Sequence, residues 1–179
     1  MLLGREADLK FHLIDRITGI VPNESIEAMR SVTLAEEYLA DHFPTNPVLP
    51  GVMMLEALIQ AAAWLIRTST DFDKSMVLLK EARNVKYGRF VRPGDTLVIR
   101  ADRVEENGNT VTFKARGEVN GEAAVSARFV MEQFNLADRD PSLAENDETV
   151  RRTMRAMLRT LASPEVLAAA GYTTCPQSG

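Results

Sequence analysis

The chain has 179 residues, of which 45% are hydrophobic and 26% charged. That is the make-up of a globular protein with a sizeable core, and it excludes a collagen-like or disordered chain. Its 21 basic and 25 acidic side chains leave a formal charge of −4, so no overall positive field holds nucleic acid or an anionic membrane. The single cysteine, Cys175, excludes an intrachain disulfide and a cysteine-built zinc site, and the cytoplasm is the expected location.

In chain order, the N-terminus turns charged at Arg5 and Glu6 without an apolar stretch of signal-peptide length, so no secretion signal is expected. Two strand-like runs follow, Phe11–Ile14 and Ser25–Thr33. Residues 51–67 read as a helix. Its apolar stretch, Val52–Ile66, is short for a bilayer span and is interrupted by Glu56 and Gln60. Strands are predicted at Met76–Leu79, Leu97–Val104, Thr110–Val119 and Ala123–Phe134. Turns separate them at Arg92-Pro93-Gly94-Asp95, Glu106-Asn107-Gly108-Asn109 and Asn120-Gly121, and Asn-Gly is a strong hairpin signal. Val111–Val119 alternates apolar and polar residues, as a half-buried antiparallel strand does. One helix with antiparallel strands defines an α+β domain over residues 1–134. Residues 135–179 form a helical extension. Ser142 and Glu145 stand at capping-box spacing, Val150, Met154, Met157, Leu158 and Leu161 mark one helix face, and Ser163-Pro164 opens a last short helix.

Apolar residues surround the helix at 51–67, which predicts burial on every side. Glu56 and Gln60, four apart, share one face. Burial raises a carboxyl pKa and suits it to general acid work. The plainer alternative is a glutamate at a helix edge, satisfied by Gln60 and backbone.

The segment before the helix holds one of the two histidines, His42, in Asp41-His42-Phe43-Pro44-Thr45-Asn46-Pro47-Val48-Leu49-Pro50-Gly51. Three prolines stiffen this loop and exclude helix or central strand. Gly51 lets the backbone approach a ligand, and a helix N-terminus polarises a carbonyl oxygen. Together these residues offer a base (His42), a polarising amide (Gly51) and an acid (Glu56), although a packing histidine and a plain Pro-Gly turn read the same residues individually.

The pattern His42-Phe43-Pro44-x-x-Pro47-Val48-Leu49-Pro50-Gly51-Val52-x-x-x-Glu56-Ala57-x-x-Gln60, with 14 positions from histidine to glutamate, closely resembles the signature of 3-hydroxyacyl-[acyl-carrier-protein] dehydratases of the FabZ type, in the hotdog-fold superfamily. Phe11-His12-Leu13-Ile14-Asp15-Arg16 and Arg92-Pro93-Gly94-Asp95-Thr96-Leu97 extend the resemblance over residues 8–132. Asp41 replaces a glycine of the pattern, Thr45-Asn46 replaces a Gly-His pair, and Glu6–Phe11 replaces the usual lead into the first strand. Glu56 stands where the isomerising sister class carries aspartate, which argues against that class.

The resemblance implies a hotdog fold, an antiparallel sheet wrapped around a long hydrophobic helix. It implies a homodimer with shared active sites, His42 from one chain and Glu56 from the other, and in the family often a trimer of dimers. The implied substrate is a 3-hydroxyacyl chain on the phosphopantetheine arm of an acyl carrier protein. His42 would take the C2 proton, the Gly51 amide would polarise the carbonyl, and Glu56 would protonate the departing hydroxyl. Gln60 would orient Glu56 or a water, with Phe43, Pro50 and Val52 lining the site. No metal or cofactor is implied. The apolar helix wall suits an acyl chain. An acidic carrier calls for a basic patch, from Arg83, Lys86, Arg89 and Arg92 or from Arg151, Arg155 and Arg159, unless these are solvated faces. The alternatives are a hotdog acyl-thioesterase, in which Glu56 activates water, and a non-catalytic acyl-binding homologue with the base spoiled by Asp41. His12 is expected to pack in a strand, Cys175 to be an idle tail residue, and Trp64, Met53 and Met54 to belong to core or tunnel wall.

Overall fold

A computed structural model describes residues 12–43 and 45–172, apart from the side chains of Ala40 and Asp41. In chain order the elements are β1 (Arg16–Val21), β2 (Ser25–Ser31), a four-residue helix α1 (Tyr38–Asp41), the long helix α2 (Gly51–Ser69), β3 (Met76–Tyr87), β4 (Thr96–Asn107), β5 (Thr110–Val119), β6 (Glu122–Phe134), and two helices of the extension, α3 (Ala144–Leu161) and α4 (Pro164–Ala169). The strands form one six-stranded sheet in the order β1-β2-β4-β5-β6-β3. Every pairing is antiparallel.

Both predicted hairpins form, the first through Gly108-Asn109, with Asn107 paired to Thr110 as the last residue of β4, and the second through Asn120-Gly121 as predicted. Asn120 and Gly121 both have positive φ, 53° and 80°, the signature of the turn whose twist matches the flanking strands. In β5, Val111, Phe113, Ala115 and Val119 face inward and are buried, while Lys114 and Arg116 face outward. Alternation puts position 117 in the same inner row, where glycine fits because a Cβ would stand 2.9 Å from Leu97 Cδ1 and Val125 Cγ1. Helix α2 lies along this inner face with Ala57, Leu58, Ala61, Ala62 and Leu65 fully buried. The short alanines let helix and sheet approach closely, and Phe113 stacks on Phe129 at 5.9 Å in the layer beneath. Helix α2 has the length and composition of a membrane span, beyond what its sequence suggested, but 61% of that window is buried inside the fold as a core helix.

Four expectations need correction. Phe11 lies outside the described residues, and His12–Asp15 precede β1 rather than forming a strand. His12 is exposed, not packed, whereas Leu13 and Ile14 are buried. Helix α2 is not covered on every side, since Val52 is 70% exposed and Glu56 is exposed. Ser142 and Glu145 do not form a capping box. Instead the Asp140 carboxylate accepts from the Ser142 amide at 3.0 Å, and α3 begins at Ala144 with no side-chain cap. The last helix starts as predicted, with Pro164 in its first turn and Ser163 Oγ accepting from the Val166 amide at 3.4 Å.

The extension fastens to the far end of α2. Leu158, Ala162, Leu167 and Ala170 join the same hydrophobic cluster as the sheet and α2. Asp147, 2% exposed, accepts from the Ser75 hydroxyl and from the amides of Leu136 (2.8 Å) and Ala137 (2.9 Å). Arg155 donates to the Asp71 carbonyl at 2.7 Å and lies over the Phe72 ring. The Tyr172 hydroxyl donates to the Thr68 carbonyl.

Candidate active site

The loop carrying His42 is held from both ends. At its start, the Tyr38 hydroxyl donates to Glu36 at 2.6 Å, and Arg30 bridges Glu36 and Asp15. Burial and the Glu36 carboxylate push the Tyr38 phenol up to about 12. The His42 amide closes α1 on the Tyr38 carbonyl at 3.1 Å. Its half-buried imidazole meets the Phe43 ring edge-on, with centroids 4.7 Å apart. Phe43 itself turns the chain with φ 54° and is 60% exposed. At the other end Val48 and Leu49 are buried, and the Leu49 amide donates to the Val91 carbonyl at 2.8 Å.

Pro50 then caps α2 by backbone conformation alone, with ψ 137° and no side-chain hydrogen bond. The Met53 and Met54 amides donate to the Pro50 carbonyl at 2.9 and 3.1 Å, which leaves the Gly51 and Val52 amides without a partner in the helix ladder; no acidic residue lies in the first turn, so the positive end of the helix is at Gly51. One turn on, the Glu56 carboxylate accepts from Gln60 Nε2 at 3.1 Å. Gln60 Oε1 in turn accepts from the Leu13 amide at 3.0 Å. Gln60 is therefore oriented by the backbone, and Glu56 by Gln60. Glu56 is exposed in the single chain, contrary to the buried carboxylate that the sequence suggested. The apolar pattern of α2 misleads here because Val52, Met53 and Leu55 are incompletely covered near its N-terminus.

The structure thus brings Gly51, Val52, Glu56 and Gln60 together along the first turns of α2, with Phe43, Pro50 and His42 on the loop that enters it. Pro44 and Cys175 lie outside the described residues. Trp64 and Met54 are core, and Met53 is half-buried. A cavity of about 430 Å³ lies elsewhere, between the β1–β2 hairpin and α4, and none of these residues lines it. Among the described residues no group of three or more His, Cys, Asp and Glu side chains could hold a metal ion.

The basic candidates divide. Arg151 hydrogen-bonds Glu148, the Asp73 carbonyl and Asn135, and Arg155 binds the Asp71 segment, so these two tie the extension down. Arg83 is paired with Glu81, and Arg89 with Glu122 at 2.8 Å. Lys86, Arg92 and Arg159 are exposed. Strand register adds residues that the sequence reading missed. Lys114 stands opposite Arg128, and Arg128 opposite Arg83, while Arg116 stands opposite Ser126, and Ser126 opposite Lys86. These cations form two rows across the outer sheet face. Their separation in sequence hides them until the pairing is known.

The comparisons with known proteins agree with this architecture. The FabA-like domain family matches residues 7–128. The 3-hydroxyacyl-[acyl-carrier-protein] dehydratase FabZ of Rickettsia africae (strain ESF-5) is 40% identical over 120 residues, covering 66% of this chain and 83% of that protein. The FabZ of Rickettsia typhi is 39% identical over the same length and coverage. Among solved structures, the dehydratase heterocomplex ApeI:P from Xenorhabdus doucetiae superposes with a TM-score of 0.61 at 18% identity, covering 78% of this chain and 93% of that one. The protein smu.793 from Streptococcus mutans, bound to acetyl CoA, gives 0.55 at 13% identity, covering 74% and 98%. A sheet wrapped on one long helix, with a polar pair near the helix N-terminus, is the hotdog architecture. The chain belongs to the FabA-like family, and within it to the FabZ type.

Proposed function

We propose that the chain removes water from 3-hydroxyacyl thioesters carried on acyl carrier protein, giving trans-2-enoyl thioesters for fatty-acid biosynthesis in the cytoplasm. The observation that carries this reading is the Leu13–Gln60–Glu56 relay beside the uncapped α2 N-terminus. It holds the Glu56 carboxyl group five residues along the helix whose first residue, Gly51, supplies the carbonyl-polarising amide. His42 takes the proton from C2 while the Gly51 N–H stabilises the charge on the thioester oxygen. The C3–O bond breaks as protonated Glu56 gives its proton to the leaving hydroxyl. One water departs, and a proton returns from His42 to Glu56 through solvent. Such proton transfers contribute about 10²–10⁴-fold each.

A second copy of the chain completes the site. Strand β3 is a 12-residue sheet edge with most residues exposed, Leu78 (46%) and Leu79 (40%) among them. An open edge of that length is a template for another strand. A partner paired there would cover the Val52–Glu56 face and set His42 of one chain against Glu56 of the other, and a trimer of dimers is the larger assembly we favour. The rows containing Lys86, Lys114 and Arg128 offer an acidic carrier a docking face, since all three are exposed and no ion pair is found for them among the described residues.

Mass spectrometry of the purified protein with carrier-bound 3-hydroxyacyl substrates of several lengths tests the reading. An enoyl product is expected, reduced at least a hundredfold in both His42→Ala and Glu56→Gln. A free fatty acid as the product would replace dehydration by thioester hydrolysis, and no product at all would leave an acyl-binding protein.

A further inference from the structure

Tyr87 ends β3, and its ring lies on the first residue of α2. A Cβ built on Gly51 would stand 3.0 Å from Tyr87 Cε1 and 3.2 Å from Cδ1 and Cζ. A methyl group at position 51 would therefore press on the ring, which would have to give by a few tenths of an ångström. Three features hold it there. First, β3 carries an extra residue between Arg83 and Lys86, with Asn84 at φ 51°. Arg83 pairs with outward-facing Arg128, but Tyr87 pairs with Val125, which is 1% exposed and faces the core. Without the extra residue, strict alternation from Arg83 would turn Tyr87 outward. Second, the Gly88 amide donates to the Ala124 carbonyl at 2.8 Å, and a Cβ on Gly88 would sit 2.3 Å from the Ala123 carbonyl oxygen. The strand exit is thus pinned against β6. Third, the Leu49–Val91 hydrogen bond ties that exit to the loop entering α2.

We infer that Tyr87 is a positioning residue for the reaction proposed above, and the inference rests on that reading. Its ring packs one flank of Gly51, fixes the peptide plane between Pro50 and Gly51, and keeps water off the amide. A donor fixed in advance and shielded from solvent stabilises developing charge more than a mobile, wet one. The ring itself is 51% exposed in the single chain, at the end of the edge assigned above to the partner strand, so its other face lies where the second copy and the thioester arm meet. The hydroxyl plays no part in this role.

The test compares wild type with Tyr87→Phe, Tyr87→Ala, Gly51→Ala and the Gly51→Ala/Tyr87→Ala double variant, each checked for unchanged thermal unfolding. Tyr87→Ala is expected to lower kcat about tenfold to a hundredfold, with KM changed by less than about threefold, as a misplaced catalytic group does. Tyr87→Phe should recover most of the rate. The double variant should be more active than Gly51→Ala, because the added methyl then has room. A second readout needs binding and no turnover: the infrared carbonyl stretch of a bound acyl thioester lacking the 3-hydroxyl. It should shift to lower frequency in wild type and Tyr87→Phe and lose that shift in Tyr87→Ala. An unchanged kcat and carbonyl shift in Tyr87→Ala overturns the inference, as does a Tyr87→Phe variant as slow as Tyr87→Ala. An inactive wild type defeats the dehydratase reading instead, and the carbonyl shift then still decides for or against Tyr87.

Discussion

Asp147 shows how one side chain ties separate parts of the chain together. Burial pushes its carboxyl up, but the Ser75 hydroxyl, the amides of Ala137 and Leu136 and the Arg151 charge outweigh that and hold it below the usual carboxylate range. The stabilisation that follows is complete above the ordinary aspartate pKa. It is lost as pH falls below that value and through the folded-state pKa. Replacement by Ala leaves a buried hydroxyl and two amides without their acceptor, at a cost of roughly 2–3 kcal/mol near neutral pH. Denaturant unfolding at several pH values should show the gap between wild type and Asp147→Ala closing below about pH 4. The sequence does not mark this residue, because it resembles any acid in a helix's first turn. Its importance comes from amides at 136 and 137, and backbone donors have no side-chain signature. The same holds for Leu13, whose amide orients Gln60. The Glu56–Gln60 pair, by contrast, was legible, because helical spacing alone puts the two on one face.

At the scale of elements, regular periodicity was readable and its interruptions were not. The predicted bounds of β5 match those observed, since its alternation is unbroken. Strand β3 was expected to stop at Leu79 but runs to Tyr87. Register shifts between Leu79 and Glu81 and between Arg83 and Lys86 destroy its period of two, and charged residues at an open edge hide the rest. Helix α2 was found correctly, but its pattern was read as burial all round, when the face bearing Val52 and Glu56 is open in the single chain. The irregularity at Asn84 has a testable cost. Asn84→Val places a β-branched residue at positive φ, which costs on the order of 1–3 kcal/mol. If β3 instead regains regular pairing, Tyr87 turns outward. Either way kcat should fall in the carrier-bound assay, and thermal unfolding separates the two outcomes, since only the strained bulge lowers the melting temperature.

For the whole molecule, charge matters by placement rather than by sum. The chain is net acidic at −4, yet the outer face of β3, β5 and β6 presents the register-paired Arg83, Lys86, Lys114, Arg116 and Arg128. Arg83 and Arg116 are drawn off by Glu81 and Glu118, and such exposed pairs contribute little to stability. Lys114→Glu with Arg128→Glu should therefore leave the fold intact. It should raise KM for carrier-bound substrate at low salt, leave turnover of a small pantetheine thioester unchanged, and lose its effect as ionic strength rises. Equal kinetics for wild type and the double variant on carrier-bound substrate would remove this face from docking.

The extension gives α2 unequal ends. Thr68, Asp71 and Ser75 are each gripped by a residue of the extension, whereas the opposite end of the helix rests on a proline turn without a side-chain cap. The helix is therefore secured differently at its two ends, by side chains of the extension at one and by the buried Val48–Leu49 segment and the Tyr87 ring at the other. Loosening the extension would thus disturb the far end of the helix first and leave the anchors of the Gly51 end in place.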